Sequence, residues 1–219
     1  MKKLLLVLSL TFTIMANAQK TYLALGDSYT ICEGLAFEQT WPYHLSQYLS
    51  SEGIETSAPK IIAKTGWRTD ELIETIKSDL EDEQFDIVSL LIGVNNEYQG
   101  KPLSKYKTEL TELLEIAIAK CSTGHKGVFM LSIPDYGVTP FAAKKEKTNA
   151  IESLQEYNSF AEQLCKKYGI SFYNITDISQ NLSENPSFLH SDELHPNEEQ
   201  YLAWLDSFKL KLLEHLSGD

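Results

Sequence analysis

The sequence is short of cysteine and of positive charge, and its one long apolar run is confined to the start. Each shortage excludes something. Three cysteines, an odd number, cannot all pair within one molecule. Cys121 falls on an apolar stripe with Tyr106, Leu110, Leu113, Leu114, Ala117 and Ile118, and Cys165 on another with Leu154, Ala161, Leu164 and Tyr168. Both therefore read as small core residues, whereas Cys32 lies on no periodic stripe. Nineteen Lys and Arg against 31 Asp and Glu give a formal net charge of -12. An acidic body repels phosphate backbones and anionic lipid, so no nucleic-acid partner is expected. No internal repeat, glycine period, linker or low-complexity tract is present. With 42% hydrophobic and 23% charged residues in 219, the chain has the composition of one ordinary folded domain.

The apolar run lies within residues 1–18. Lys2 and Lys3 precede it, residues 4–15 are interrupted only by Ser9, Thr11 and Thr13, and Ala16-Asn17-Ala18 puts small residues where a signal peptidase reads. The run is short for a membrane span, and no second one follows. The reading is a signal peptide over residues 1–18 and a single domain over 19–219, secreted or periplasmic, with no integral membrane segment once the leader is removed. An uncleaved anchor is the alternative. No cysteine follows the run to accept a lipid.

Strand-like and helix-like segments then alternate. Short apolar strands are expected at residues 21–25, 60–63, 85–92, 128–133 and 170–173. The third is nearly continuous in apolar residues, as in a strand covered on both faces. Helices are expected at 41–50, 70–80, 102–121 and 151–168, with a last one starting at Pro196. Five strands separated by helices imply an α/β fold of three layers, α/β/α, around a parallel sheet. Ligands of such sheets gather at the carboxyl ends of the strands. The segments after the first three strands are Gly26-Asp27-Ser28-Tyr29, Thr65-Gly66-Trp67-Arg68 and Gly93-Val94-Asn95-Asn96, and they share that rim.

Ser28 directly follows a buried strand, after a glycine that permits a sharp turn and exposes amide N–H groups to a developing anion. Alone, this tetrapeptide is equally a strand-ending turn with a helix-capping serine, and it is not the Gly-x-Ser-x-Gly elbow. Near the other end, Asp192 and His195 are three apart, before Pro196, which disfavours helical geometry at His195. That spacing lets a carboxylate meet one ring nitrogen, fix the tautomer and stabilise the imidazolium formed when the other nitrogen takes a serine proton. Asp-x-x-His alone is a weak signal. The two together are a stronger one.

With these blocks in place the chain resembles the SGNH (GDSL-type) hydrolases over nearly all of residues 19–219. The four matching blocks are Leu25-Gly26-Asp27-Ser28-Tyr29, Gly66 within Ala63-Lys64-Thr65-Gly66-Trp67, Gly93-Val94-Asn95-Asn96, and Asp192-Glu193-Leu194-His195-Pro196. The resemblance implies a flavodoxin-like fold with a central five-stranded parallel sheet, and a secreted serine esterase that needs no cofactor. It also implies a catalytic Ser28, Asp192 and His195, with an oxyanion hole from the backbone of Ser28 and Gly66 and the side chain of Asn95. A side chain on Gly66 would crowd that space. Tyr29 stands where relatives often have Leu, and Asn96 where many have Asp. Lysophospholipids, short-chain acyl esters, thioesters and acetylated sugars all fit the resemblance. Trp67, Tyr98 and Phe141 incline the reading to an apolar acyl group, with Trp67 and Tyr98 as substrate contacts. A noncatalytic secreted binding module is the alternative from another class. A metal site at His190, Asp192, Glu193 and His195 is disfavoured, because histidines five apart do not share a helical face. The partner expected is a small-molecule ester; oligomeric state is not indicated.

A cleaved leader predicts that the exported protein begins at Gln19. N-terminal sequencing of protein from the periplasm or medium checks this, and Met1 on a membrane-bound product would favour the anchor.

Overall fold

Among the residues described by the computed structural model, 19–218, five strands form one sheet. They are β1 (Tyr22–Gly26), β2 (Lys60–Ala63), β3 (Ile87–Leu91), β4 (Val128–Leu131) and β5 (Ser171–Tyr173), all parallel, in the order β2-β1-β3-β4-β5. The leader assigned to residues 1–18 lies outside the described residues. The helices are α1 (Ser28–Ile31), α2 (Trp41–Ser51), α3 (Thr69–Asp79), α4 (Val94–Tyr98), α5 (Leu103–Lys120), α6 (Pro140–Lys144), α7 (Ala150–Tyr168), α8 (Thr176–Ser183) and α9 (Glu198–Ser217). No helix among the described residues is long and apolar enough to cross a membrane.

The sheet is covered on both faces. Helices α3, α5 and α7 pack side by side, and α2 packs on α9. Alternation along β4 shows that these are opposite layers: the Phe129 ring lies 6.0 Å from Phe208 of α9, while the sulfur of the next residue, Met130, is 3.8 Å from Cys165 of α7. Every residue of β1 and β3 is buried, whereas the edge strands β2 and β5 are partly exposed. That explains why residues 85–92 read as one apolar run. Cys32, Cys121 and Cys165 are all free and buried. Burial pushes the Cys165 thiol up to about 12 and the Cys32 thiol higher still, so both stay protonated at neutral pH.

The long periodic elements lie where their patterns place them, with different ends. The last helix begins at Glu198 rather than Pro196, because the Asn197 side chain caps it by accepting from the Gln200 N–H at 3.1 Å. Pro196 instead pairs with Leu189 in an isolated antiparallel bridge. The fourth strand stops at Leu131, since the Ile133 N–H turns to the Asn158 side chain at 2.8 Å. Helices α1, α4, α6 and α8 were not expected. All are short, and two of them carry the segments after β1 and β3.

The strand order reverses direction between β1 and β3, opening a crevice at their carboxyl ends. There Gly26 is indispensable. A Cβ at this position would sit 2.1 Å from the Thr30 hydroxyl and 2.3 Å from the Leu91 carbonyl oxygen. Gly26→Ala is therefore expected to cost about 1–3 kcal/mol or more through overpacking. Urea unfolding would measure it, and an unchanged midpoint would refute this account of the strand end.

Candidate active site

Ser28 is the first residue of α1, and Asp27 caps that helix by accepting from the Tyr29 N–H at 3.0 Å. The Ser28 N–H is among those a helix start leaves without an intrahelical partner. Asp27 is buried, and the backbone N–H of Gly93 also favours its ionised form. Burial pushes its pKa up to about 7 against those N–H groups. The short helix ends at Cys32, in the left-handed conformation (φ 56°), and its Tyr29 carbonyl accepts the Trp41 indole N–H at 3.0 Å. Cys32 is thus a helix terminator, a role that leaves no periodic trace in sequence.

His195 reaches the same place from the other end of the chain. Its Nδ1 lies 2.6 Å from Asp192 Oδ2, and Asp192 Oδ1 accepts the N–H groups of Leu194 and His195 at 3.0 Å each. Partial burial raises the Asp192 pKa, but the His195 ring and those two N–H groups outweigh it and hold the carboxyl below its ordinary range. The turn is clasped by the His190 N–H on the His195 carbonyl (2.7 Å) and the Glu193 N–H on the His190 carbonyl (2.9 Å), with Glu193 itself left-handed (φ 60°). Helix α6 is fastened to it, since the Phe141 N–H donates to the Glu193 carbonyl at 3.2 Å and Lys144 pairs with the Glu193 carboxylate.

Residues 64–67 form a turn closed by the Trp67 N–H on the Lys64 carbonyl at 3.1 Å. Gly66 has φ +85° and Thr65 has no positive φ, which is a type II turn with glycine at its third position. The turn's own bond does not use the Gly66 N–H. A Cβ on Gly66 would meet no protein atom within 4 Å, so backbone conformation, not the crowding expected from sequence, is what calls for glycine here. Asn95, on α4, donates from Nδ2 to the Trp67 carbonyl at 3.0 Å. A carbonyl only accepts, so the amide must present its NH₂ group, and its second N–H remains for the cavity. Asn96 is buried and tied to Thr69: its Oδ1 accepts the Thr69 N–H at 3.1 Å and its Nδ2 donates to the Thr69 hydroxyl at 2.6 Å.

Ser28, Gly66, Asn95 and His195 line one cavity of about 120 Å³. Ser28 and His195 are only 4% and 6% exposed. Among the described residues no direct hydrogen bond joins their side chains; such bonds often tighten only around substrate. Val94, Tyr98, Tyr136, Phe141 and Leu194 form an apolar wall. Trp67 is not part of the lining, contrary to the expectation of a substrate contact. Its side chain is half-buried against the core, and it reaches the site only through its carbonyl. Arg68 is likewise occupied with Asp70, Glu71 and Gln99. Tyr136 was missed from sequence. It follows β4, so the rim rule applied to that strand would have found it. Its hydroxyl donates to Glu97 at 2.7 Å, and burial, reinforced by Glu97, keeps the phenol neutral.

Among the described residues no group of three or more His, Cys, Asp and Glu side chains converges to hold a metal ion. What does share the cavity is a hydroxyl at a helix start, an imidazole held by a carboxylate, and the residues Gly66 and Asn95 from two other segments. That set can perform nucleophilic acyl transfer.

Residues 24–203 match the GDSL-like lipase/acylhydrolase family. Among solved structures, the psychrotrophic esterase EstA from Pseudoalteromonas sp. is similar at 18% identity and a TM-score of 0.68, covering 92% of this chain and 100% of that one. The acetylxylan esterase Axe2 from Geobacillus stearothermophilus is similar at 17% identity and a TM-score of 0.65, covering 89% and 94%. TesA is similar at 17% identity and a TM-score of 0.68, covering 90% and 99%. At these identities the likeness is one of fold. No curated protein sequence matches the chain.

The Asp192 pKa is depressed on folding, so its contribution to stability is full above the unfolded value of about 4 and is lost as pH falls through the lower folded value. The advantage of the wild type over Asp192→Asn in urea unfolding should be present at about pH 5 and reduced at about pH 3. An advantage that does not change over this interval would mean that the carboxylate charge is not what stabilises the turn.

Proposed function

The chain belongs to the GDSL-like lipase/acylhydrolase family and is an ester-hydrolysing enzyme, and we propose that it works through Ser28, His195 and Asp192 on small carboxylic esters with an apolar acyl group. The observation that carries this reading is the single cavity lined by Ser28, His195, Gly66 and Asn95 beside an aromatic wall. Asp192 occupies Nδ1, so Nε2 is the nitrogen free to act on Ser28. His195 Nε2 takes the hydroxyl proton as Ser28 Oγ bonds to the ester carbonyl carbon. The carbonyl oxygen becomes an oxyanion, which the N–H groups of Ser28 and Gly66 and the spare N–H of Asn95 stabilise. As the tetrahedral species collapses, the C–O bond to the alcohol breaks and His195 returns the proton to the leaving oxygen. Water, deprotonated by His195, then attacks the acyl-serine, releasing the acid and restoring Ser28.

The wall of Tyr98, Tyr136 and Phe141 supports short-chain acyl esters or a lysophospholipid acyl chain. It presents ring faces and edges, with Tyr98 and Tyr136 edge to face at 5.6 Å. Acetylated sugars and thioesters are the competing substrates, and a panel of acyl lengths with an acetylated xylooligosaccharide and an acyl thioester separates them. The composition of residues 1–18 supports action outside the cytoplasm.

The neighbouring esterase EstA has been captured inhibited by monoethylphosphonate, which suggests the direct test. An alkylphosphonate should label this protein at Ser28, and Ser28→Ala should lower kcat by on the order of 10⁶ while leaving the fold intact. Labelling elsewhere, or an active Ser28→Ala, would sink the mechanism. Asn95→Ala should lower kcat by about 10² to 10³ with little change in KM. Asn96→Ala should have a smaller effect on kcat, acting through the Thr69 contacts.

A further inference from the structure

The Gly66 N–H and the Asn95 amide, the two oxyanion donors outside α1 in the mechanism above, belong to separate segments. One is on the turn at residues 64–67 and the other on α4. Their spacing must be held to a fraction of an ångström for both to serve one oxygen. Trp67 anchors the end of the turn on the core and Thr65 bonds to Glu33, but Gly66 itself, with no side chain and with the space where a Cβ would lie empty to 4 Å, is not held by packing. Thr65 is exposed. What faces the turn from α4 is a set of amides. Asn95 Nδ2 donates to the Trp67 carbonyl at 3.0 Å, and Gln99 Nε2, one helical turn later, donates to the Gly66 carbonyl at 3.3 Å.

Gln99 is itself oriented. Its Oε1 accepts from Arg68 Nη1 at 2.8 Å, and a guanidinium can only donate. Arg68 therefore determines which end of the Gln99 amide faces Gly66. Arg68 is in turn held by Asp70 (3.1 Å) and Glu71 (3.3 Å) at the start of α3. The result is a relay from α3 through Arg68 and Gln99 to the carbonyl of Gly66, the residue whose N–H the proposed mechanism uses.

We propose that Gln99, oriented by Arg68, is a positioning residue that sets the distance between the Gly66 and Asn95 oxyanion donors. Gln99 is exposed and touches no reacting atom, so its effect passes entirely through the turn. The proposal rests on the oxyanion hole assigned under the proposed function.

Two substitutions isolate the effect. Gln99→Ala removes both bonds. Gln99→Glu is nearly isosteric and still accepts from Arg68, now as an ion pair, but it has no N–H for the Gly66 carbonyl and repels it. A merely structural role would make Gln99→Glu harmless, because the tie to Arg68 is strengthened. A positioning role makes it damaging while its melting temperature holds or rises. Both variants are expected to lower kcat roughly tenfold with KM little changed, since the lost alignment matters chiefly in the transition state. An alkylboronic acid, which becomes tetrahedral on Ser28, should bind both variants more weakly by the same factor. Arg68→Ala should lower kcat in the wild type but add nothing to Gln99→Ala.

The proposal is overturned if Gln99→Glu keeps wild-type kcat and boronate affinity, or if kcat falls only in step with lost folded protein. A wild-type protein that hydrolyses no ester and binds no boronate would instead remove the proposed function, so the two failures are distinguishable.

Discussion

At the carboxyl end of β1 the backbone runs so close to the Leu91 carbonyl and the Thr30 hydroxyl that no side chain fits at Gly26. The rest of the site is arranged around this contact. It lets α1 start at once against the end of β3, with Thr30 fully buried beneath Leu91. It also brings the Asp27 carboxylate within reach of the Gly93 N–H, so that the segments leaving β1 and β3 share one acceptor. From the other side the Trp41 indole takes the Tyr29 carbonyl. Ser28 is therefore positioned by two central strands and α2, elements whose opening would require the core to open as well.

The remaining groups arrive on connections at the rim, where there is less to pack against, and polar ties take over. Loop backbone that cannot join the sheet must still be satisfied. Here that need and the placement of functional groups are met by the same bonds. Asp192 holds its own turn by two N–H groups with one oxygen and the His195 ring with the other. Asn95, Asn96 and Gln99 hold the backbone or side chains of residues 66–69. Amides are well suited to such ties because they donate and accept without the desolvation cost that a buried charge would impose.

The sheet, its five strands and the five longer helices were readable in the sequence because each carries an apolar stripe or run of sufficient length. Helices α1, α4, α6 and α8 were not. Helices of four to eight residues show at most about two turns of pattern and are too short to form on their own; Val94–Tyr98 exists because Asn95 and Asn96 are bonded to Trp67 and Thr69. Ser28, Asp192 and His195 stood out because reactive residue types recur there beside glycine and proline, the punctuation of a strand end and a turn. Tyr136 was signalled only by its place after β4, and Gln99 by nothing, since its role depends on which side chains lie opposite in space. Trp67 was misleading for the same reason. An aromatic residue beside a rim glycine looks like a ligand contact, yet its ring turns inward and its carbonyl does the bonding.

Two carboxyl groups bracket the site, and their surroundings drive them apart. Asp192 is partly open to water and receives two N–H groups and the histidine ring, so it stays ionised far below neutrality. That is the state which, in the mechanism proposed above, lets it fix the His195 tautomer and balance an imidazolium. Asp27 is sealed under α1, where burial outweighs the Tyr29 and Gly93 N–H groups and raises its pKa to about 7. A full negative charge one residue from Ser28 would oppose any negative charge gathering on an oxygen bound there, and in a buried site that repulsion is weakly screened. Burial reduces the ionisation of Asp27 and so lessens the conflict, while its bond from the Tyr29 N–H still caps α1. One acid is thus held as a charge beside the histidine, while the other, next to the serine, is drawn toward its neutral form by burial.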